Sequence, residues 1–208
     1  MTSTMTKKWC GKLCQWTGFA TLFMVLTACG DIGGVGQCGG AGETGACLQI
    51  EDIAPNDSSN VDVVRDSCGT SGTPETFTDH NAKVKISYNR LPGLGLDAAE
   101  LAPVTLNKNA ISYKVAFCPV GSSCPSLNVY PIEQTISIKV DSLIEPDLPF
   151  FPLHKKDEYV DAVGSTNTHP SYTATYTLTG ADSSGNPVKV EGSAEFTIGN
   201  YDLCTAAG

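Results

Sequence analysis

Basic charge is scarce in this chain: 13 lysines and arginines stand against 22 acids, for a formal net charge of −9 at pH 7. That balance argues against a nucleic-acid partner, because phosphate binding needs a basic face. Charged residues reach only 17 % and apolar ones 41 %, too apolar for a disordered chain and too broken up for a polytopic membrane protein. Tryptophan is confined to Trp9 and Trp16, and methionine to Met1, Met5 and Met24. No C-x-x-C pair occurs, which weakens a zinc reading, and C-x-x-C-H is missing, which excludes a c-type haem. No G-x-S-x-G elbow localises a nucleophile. Neither a metal, a cofactor nor a catalytic role is expected. Glycine and proline, by contrast, are plentiful at 21 and 12 residues, which favours short strands and turns over helices.

The N-terminus is the most informative stretch. Lys7, Lys8 and Lys12 precede an apolar run, Phe19–Ala28, and no acid occurs before it. A basic region followed by a short apolar one is a secretory signal, too short to span a bilayer stably. Leu26-Thr27-Ala28-Cys29 resembles the lipobox of bacterial lipoproteins, an aliphatic residue and two small ones before a cysteine. The resemblance implies cleavage before Cys29, lipidation of its thiol, and anchoring through acyl chains. It also implies sorting to the outer membrane, since the inner-membrane retention aspartate would follow the cysteine directly and Gly30 stands there, with Asp31 one place on. The expected organisation is a signal peptide over 1–28, a lipidated cysteine and glycine-rich tether over 29–46, and a domain over 47–208. Eight of the seventeen residues from Gly30 to Ala46 are glycine, which reads as a flexible tether. A phosphate-binding loop is disfavoured, because no strand precedes the stretch and no G-K-[ST] follows.

Removing the leader takes Cys10 and Cys14 with it. Lipid would occupy Cys29, leaving an even six: Cys38, Cys47, Cys68, Cys118, Cys124 and Cys204. In an exported chain these are disulfide candidates, and six can pair in 15 ways. The spacing singles out one pair. Cys118 ends an alternating segment and Cys124 follows after five residues that include Pro119 and Gly121, enough to close a hairpin loop.

From Leu48 onward the hydrophobic pattern has period two, the mark of half-buried strands. It runs through Leu48–Ile53, Lys83–Tyr88, Ala110–Phe117, Leu127–Tyr130, Gln134–Val140, Tyr172–Leu178 and Val188–Ile198. Helical periodicity is confined to a turn or two at Leu96–Leu101 and Lys155–Ala162. About seven strands separated by turns predict an all-β, antiparallel β-sandwich. The hairpin Tyr172–Ile198 resembles the final strand pair of immunoglobulin-like or fibronectin-III-like modules, and Thr105–Phe117 is similar to a central strand of that class.

Three histidines occur, each in a turn-rich stretch that predicts a solvated side chain: His80 beside Asp79, His154 before two lysines, and His169 before Pro170. Asp57, Asp62 and Asp66 miss the spacing of a calcium loop and read as a solvated acidic segment. The connection of about thirty residues between Val140 and Tyr172 is long for a compact domain, and such connections are often functional. It holds Phe150 and Phe151, which cannot both face inward if the backbone is regularly extended. Either the loop folds over an open end of the sandwich and buries both rings, or one ring is exposed as a partner-binding loop.

These features lead to an expected function: a lipid-anchored cell-envelope protein acting as a non-catalytic interaction or assembly module. Its partners would be the membrane, through N-terminal acyl chains, and another envelope or surface protein. A small-ligand or glycan-binding lipoprotein using loops at one end of the sandwich is the alternative. Glycan platforms usually use exposed aromatic rings, and the mature chain would hold no tryptophan, which favours the first. Cleavage before Cys29 makes a specific prediction. Protein purified from membranes should show tyrosine emission without a tryptophan band, and its N-terminal peptide should carry lipid mass on Cys29. Retention of tryptophan emission together with an unmodified Cys29 would exclude the leader assignment.

Overall fold

A computed structural model describes residues 46–64, 67–68, 73–74, 78–90, 102–164 and 168–201. Two mainly antiparallel sheets pack face to face as an all-β sandwich. The smaller holds β1 (Ala46–Pro55), β5 (His80–Arg90) and β10 (Asp147–Phe151) in the order β1-β5-β10, with β9 (Ser142–Ile144) also paired to β5. The larger runs β2 (Asn60–Asp62), β12 (Pro187–Gly199), β11 (Ser171–Asp182), β6 (Val104–Phe117), β7 (Tyr130–Ile132), with β8 (Ile136–Ile138) on β6 as well. Two short strands, β3 (Ser67–Cys68) and β4 (Thr73–Pro74), pair with each other. Among the described residues every pairing is antiparallel except β2 with β12, which is parallel.

Alternation decides which faces meet. On β11, Tyr172, Ala174, Tyr176 and Leu178 are fully buried while Thr173, Thr175, Thr177 and Thr179 face outward. On β5, Ala82, Val84, Ile86 and Tyr88 enter the same core and Lys83 stays in water. The sandwich also closes along its sides. Where β12 passes β1, a Cβ on Gly192 would stand 2.6 Å from a methyl of Ile50, so glycine permits the approach. On the other side the turn at Val140–Asp141 carries the chain from β8 to β9. Asp141 adopts φ 55 there, a conformation aspartate tolerates better than most residues. Arg90 fixes it: Nη2 lies 2.7 Å from Asp141 Oδ2, and the Arg90 amide donates to Oδ1 at 3.2 Å.

The interval from Val140 to Tyr172 holds more regular structure than the expected loop with a turn or two of helix, and it takes the buried one of the two readings of its phenylalanines, not the partner-binding one. It is not a bare loop, since it holds β9, β10 and an eleven-residue helix α1 (Leu153–Val163). Nor does it expose Phe150 or Phe151: both rings have 0 % exposure. The premise of a regularly extended backbone is what gives way. Pairing of β10 with β5 slips between Pro149 and Phe151, leaving Phe150 as the unpaired residue of a bulge. A bulge re-aims side chains that alternation would separate, and both rings turn inward. They meet Phe196 at centroid distances of 5.1 and 5.3 Å, and Phe151 stands edge-on to Tyr113 at 5.3 Å. Burying each such ring contributes about 1.5–3 kcal/mol.

Besides its pairing with β5, the bulged strand takes two hydrogen bonds from the opposite sheet. Tyr113 on β6 donates its hydroxyl to the carbonyl of Phe150 at 2.8 Å, and Tyr176 on β11 donates to Pro149 at 2.9 Å. Burial pushes both phenols well above their ordinary range. Tyr113→Phe and Tyr176→Phe should each lower unfolding free energy by about 1–3 kcal/mol, because each strands a buried carbonyl without a donor. Urea unfolding checks this, and losses under half a kilocalorie would show that those carbonyls find other donors.

Candidate functional site

One end of the sandwich gathers the polar groups. At that end β5 begins, β10 ends, α1 starts, and the Asn56–Ser59 segment leaves β1 for β2. Helix α1 has Pro152 at its N-cap position, which offers no side-chain acceptor. Asp79 supplies one from elsewhere in the chain: its Oδ1 accepts the Leu153 amide at 2.7 Å, a carboxylate at the positive end of the helix. The helix stops at Gly164, whose φ of 65 and bond to the Val160 carbonyl form a left-handed cap.

The face that α1 buries explains why its full length escaped the sequence pattern. Lys155, Lys156 and Tyr159 are the buried residues, so lysine stems do the covering that apolar letters would announce. The Lys155 ammonium pairs with Glu158, and Glu158 Oε1 accepts both the amide and the side-chain N–H of Asn128 at 2.9 Å. Burial raises the Glu158 carboxyl, but Lys155 and Asn128 together outweigh it and hold it below the ordinary range.

His80 departs from expectation. It is 3 % exposed rather than solvated, because it opens β5 with its ring directed into the core. Nε2 lies 2.8 Å from the Ser58 carbonyl, and Nδ1 is 4.0 Å from Asp57 Oδ2. Serine, histidine and aspartate therefore lie together here, but not as a nucleophile and its base. Ser58 Oγ is turned away, donating to the Asn60 carbonyl at 2.9 Å and accepting the Asn60 amide at 3.0 Å. The other histidines are exposed as expected and sit apart. His154 stacks on Tyr130 at 4.8 Å, and His169 on Tyr201 at 5.1 Å.

The aspartates separate. Asp57 is exposed as expected, Asp66 lies outside the described residues, and Asp62 is buried at 1 % exposure. Asp62 was expected in solvent; instead its Oδ1 accepts the amides of Val64 at 3.1 Å and Tyr201 at 3.2 Å, fastening β2 to the segment after β12. Among the described residues no group of three or more potential ligands is arranged to hold a metal ion.

Cys118 and Cys124 are joined, with Cα atoms 6.0 Å apart, as the spacing predicts. Their loop turns through Gly121 at φ 83, with the Ser122 amide donating to Pro119. Val120 at its tip is 106 % exposed and Phe117 at its base 60 %. Val129, after the loop, is 61 % exposed. Cys47 is buried and disulfide-bonded. The side chain of Cys68 lies outside the described residues, as do Cys29, Cys38 and Cys204.

Strand register places this loop relative to the start of the domain. Ala46 opens β1 opposite Arg90, while Pro55 lies opposite Ala82, beside His80. Phe117 pairs with Ser171, Ser171 with Thr197, and Thr197 with Asn60, next to the Ser58 that His80 holds. The disulfide loop thus stands at the His80 end and Ala46 at the other, separated by about 30 Å of strand. No described helix is long and apolar enough to cross a membrane. In comparisons with known proteins, the chain matches no family model, no curated protein and no solved structure.

Asp79→Ala removes the acceptor at the start of α1. It should cost about 1 kcal/mol of stability, the usual worth of an N-cap carboxylate, and raise amide exchange in the first helical turn. Unchanged exchange at Leu153 would show that the carboxylate does not hold that turn.

Proposed function

We propose that the chain is a lipid-anchored protein of the cell envelope, attached at the outer membrane through Cys29, whose sandwich serves as a non-catalytic interaction module for another envelope or surface protein. The leader pattern around Leu26-Thr27-Ala28-Cys29 supports the anchor. Two or three acyl chains on one cysteine give firm attachment, since each buried CH₂ contributes about 0.8 kcal/mol and a single chain binds only marginally. In this reading the sandwich is of the immunoglobulin-like or fibronectin-III-like kind that the C-terminal hairpin resembles.

The observation that carries the docking role is where two of the four large exposed apolar side chains of the described residues lie. Phe117 at the base and Val120 at the tip mark a covalently closed loop at the end of the domain opposite Ala46, where the chain arrives from the side of Cys29. A short loop held by a disulfide presents its side chains with little ordering cost on binding. The docking residues are therefore Phe117 and Val120, in place of the buried Phe150 and Phe151.

Two measurements test the two halves separately. Cys29→Ala should abolish incorporation of an alkyne-labelled fatty acid and release the protein from the outer-membrane fraction. Wild-type protein found mainly with inner-membrane markers would overturn the location. For docking, a photo-crosslinker at position 120 in intact cells should give one discrete adduct. Phe117→Ser with Val120→Asp should leave the melting temperature within about 2 °C of wild type, because both side chains already face water. In cells carrying a crosslinker at position 123, the same pair should remove the adduct. No adduct from either position would overturn the docking surface.

A further inference from the structure

The imidazole of His80 stands between the two sheets' connecting segment and the core, 3 % exposed. Its Nε2 faces the Ser58 carbonyl at 2.8 Å, an oxygen that can only accept, so Nε2 carries the hydrogen of the neutral ring. Nδ1 is then a bare lone pair. The charged and titratable groups around the ring come from each described element packed on it. The β1–β2 connection brings Asp57, its Oδ2 at 4.0 Å and its side chain 70 % exposed. Helix α1 brings the buried Lys156, whose charge opposes a proton on the ring. Strand β10 brings only the uncharged ring of Phe150, at 5.9 Å. Beside His80 in sequence, Asp79 is engaged with the Leu153 amide.

What the ring holds is the crossing itself. Asn56 is tied to the small sheet by its amide on the Asn81 carbonyl at 2.9 Å and by its side chain on Asp147 at 2.8 Å. Beyond it, the Ser58 carbonyl rests on His80, and Ser59 already belongs to the large sheet, accepting the Thr197 amide at 2.9 Å. The three residues of β2 follow, parallel to Thr197–Gly199.

We propose that His80 is an acid-responsive latch on this crossing: neutral, it holds Ser58 and with it β2 in place, and protonated, it lets the Ser58–Val63 segment leave β12. A proton on Nδ1 would place a cation in a buried setting beside a buried ammonium. The counter-charge, Asp57, stands mostly in water, where attraction at that distance is weak and screened. Burial is the largest influence and holds the imidazole below its ordinary pKa of 6.5; the Ser58 carbonyl and Asp57 pull upward and Lys156 downward without reversing it. The closed form therefore binds the proton less readily than the open one. Closure is fully favoured above the ordinary imidazole pKa and weakens as pH falls below it. Release would uncover the outer edge of β12 at Thr197–Gly199, a row of backbone groups able to pair with another strand. The latch is independent of the anchor at Cys29 and of the disulfide loop.

Hydrogen exchange on the full chain, corrected for intrinsic rates, tests this at pH values of about 7.5 and 5. Protection over 56–63 should fall several-fold toward the acid side, while β6 and β11 keep theirs. His80→Gln retains a donor for Ser58 but takes up no proton in this range, and should abolish the fall. Asp57→Asn, at an exposed position, removes an upward pull on the closed-state imidazole and should deepen the fall while leaving its onset in place. The latch is overturned if wild type shows no fall, if His80→Gln shows the same fall, or if β6 and β11 lose protection equally. Should His80→Gln not fold, a fall in Asp57→Asn no deeper than that of wild type overturns it.

Discussion

The slip in pairing at Pro149–Phe151 is the constraint on which the rest of the interior depends. A bulge in a strand at the sheet's edge leaves carbonyls without ladder partners, and inside a protein such groups are costly unless another donor reaches them. Here the donors come from the facing sheet, through the phenols of Tyr113 and Tyr176. Hydrophobic contact between two sheets is non-directional and leaves them free to slide. Two hydroxyl-to-carbonyl bonds across the core remove that freedom. They fix β6 and β11 against β10, and so set where Phe150, Phe151 and Phe196 meet.

Further hydroxyls from the same core repeat the device at its margins. Tyr172 donates to the Pro125 carbonyl at 3.0 Å, drawing the chain after the disulfide loop under the sheet, and Tyr88 donates to Ala102 at 3.2 Å. With no tryptophan beyond Trp16, tyrosine is the residue that combines a large apolar ring with a donor able to reach across. The core is thus a mainly aliphatic interior with tyrosine hydroxyls at chosen points. The acidic surface and the apolar loop tip at Phe117 and Val120 can vary around it without disturbing those points.

Legibility in the sequence followed periodicity. Strands β5, β6, β11 and β12 alternate cleanly and could be read directly, and β1 nearly so; the two-sheet architecture followed. The spacing of Cys118 and Cys124 was legible for a different reason, since a short loop has few partners in reach. What escaped reading was written in polar letters or in broken register. Helix α1 buries lysine stems beside Tyr159, so its inward face carried only a weak apolar signal. Whether Phe150 and Phe151 share the core stayed open in the sequence, because a single unpaired residue does not announce itself there. His80 and Asp62 looked like loop residues because their neighbours are polar. Each is buried through backbone groups, the Ser58 carbonyl for one and the Val64 and Tyr201 amides for the other, that are distant or conformation-dependent. At the candidate site, residue types were readable and their grouping was not.

The parallel pairing of β2 with β12 sets an order of events. Asn60 and Thr197, which share a side-chain hydrogen bond, are 137 residues apart in the chain. A polypeptide emerging N-terminus first presents residues 60–62 long before residues 197–199 exist to receive them. Hairpins such as β11–β12 can close locally, but this pairing must span nearly the whole domain, and contacts of that range are slow to form. Loop-closure entropy adds little to the delay, about 0.6 kcal/mol for each doubling of length; the wait is for the last strand itself. Until Gly199 has been made, the first sheet-crossing of the domain has nowhere to dock. A nascent chain can pair β1 with β5 early, but it must keep β2 unpaired until the C-terminal strand arrives.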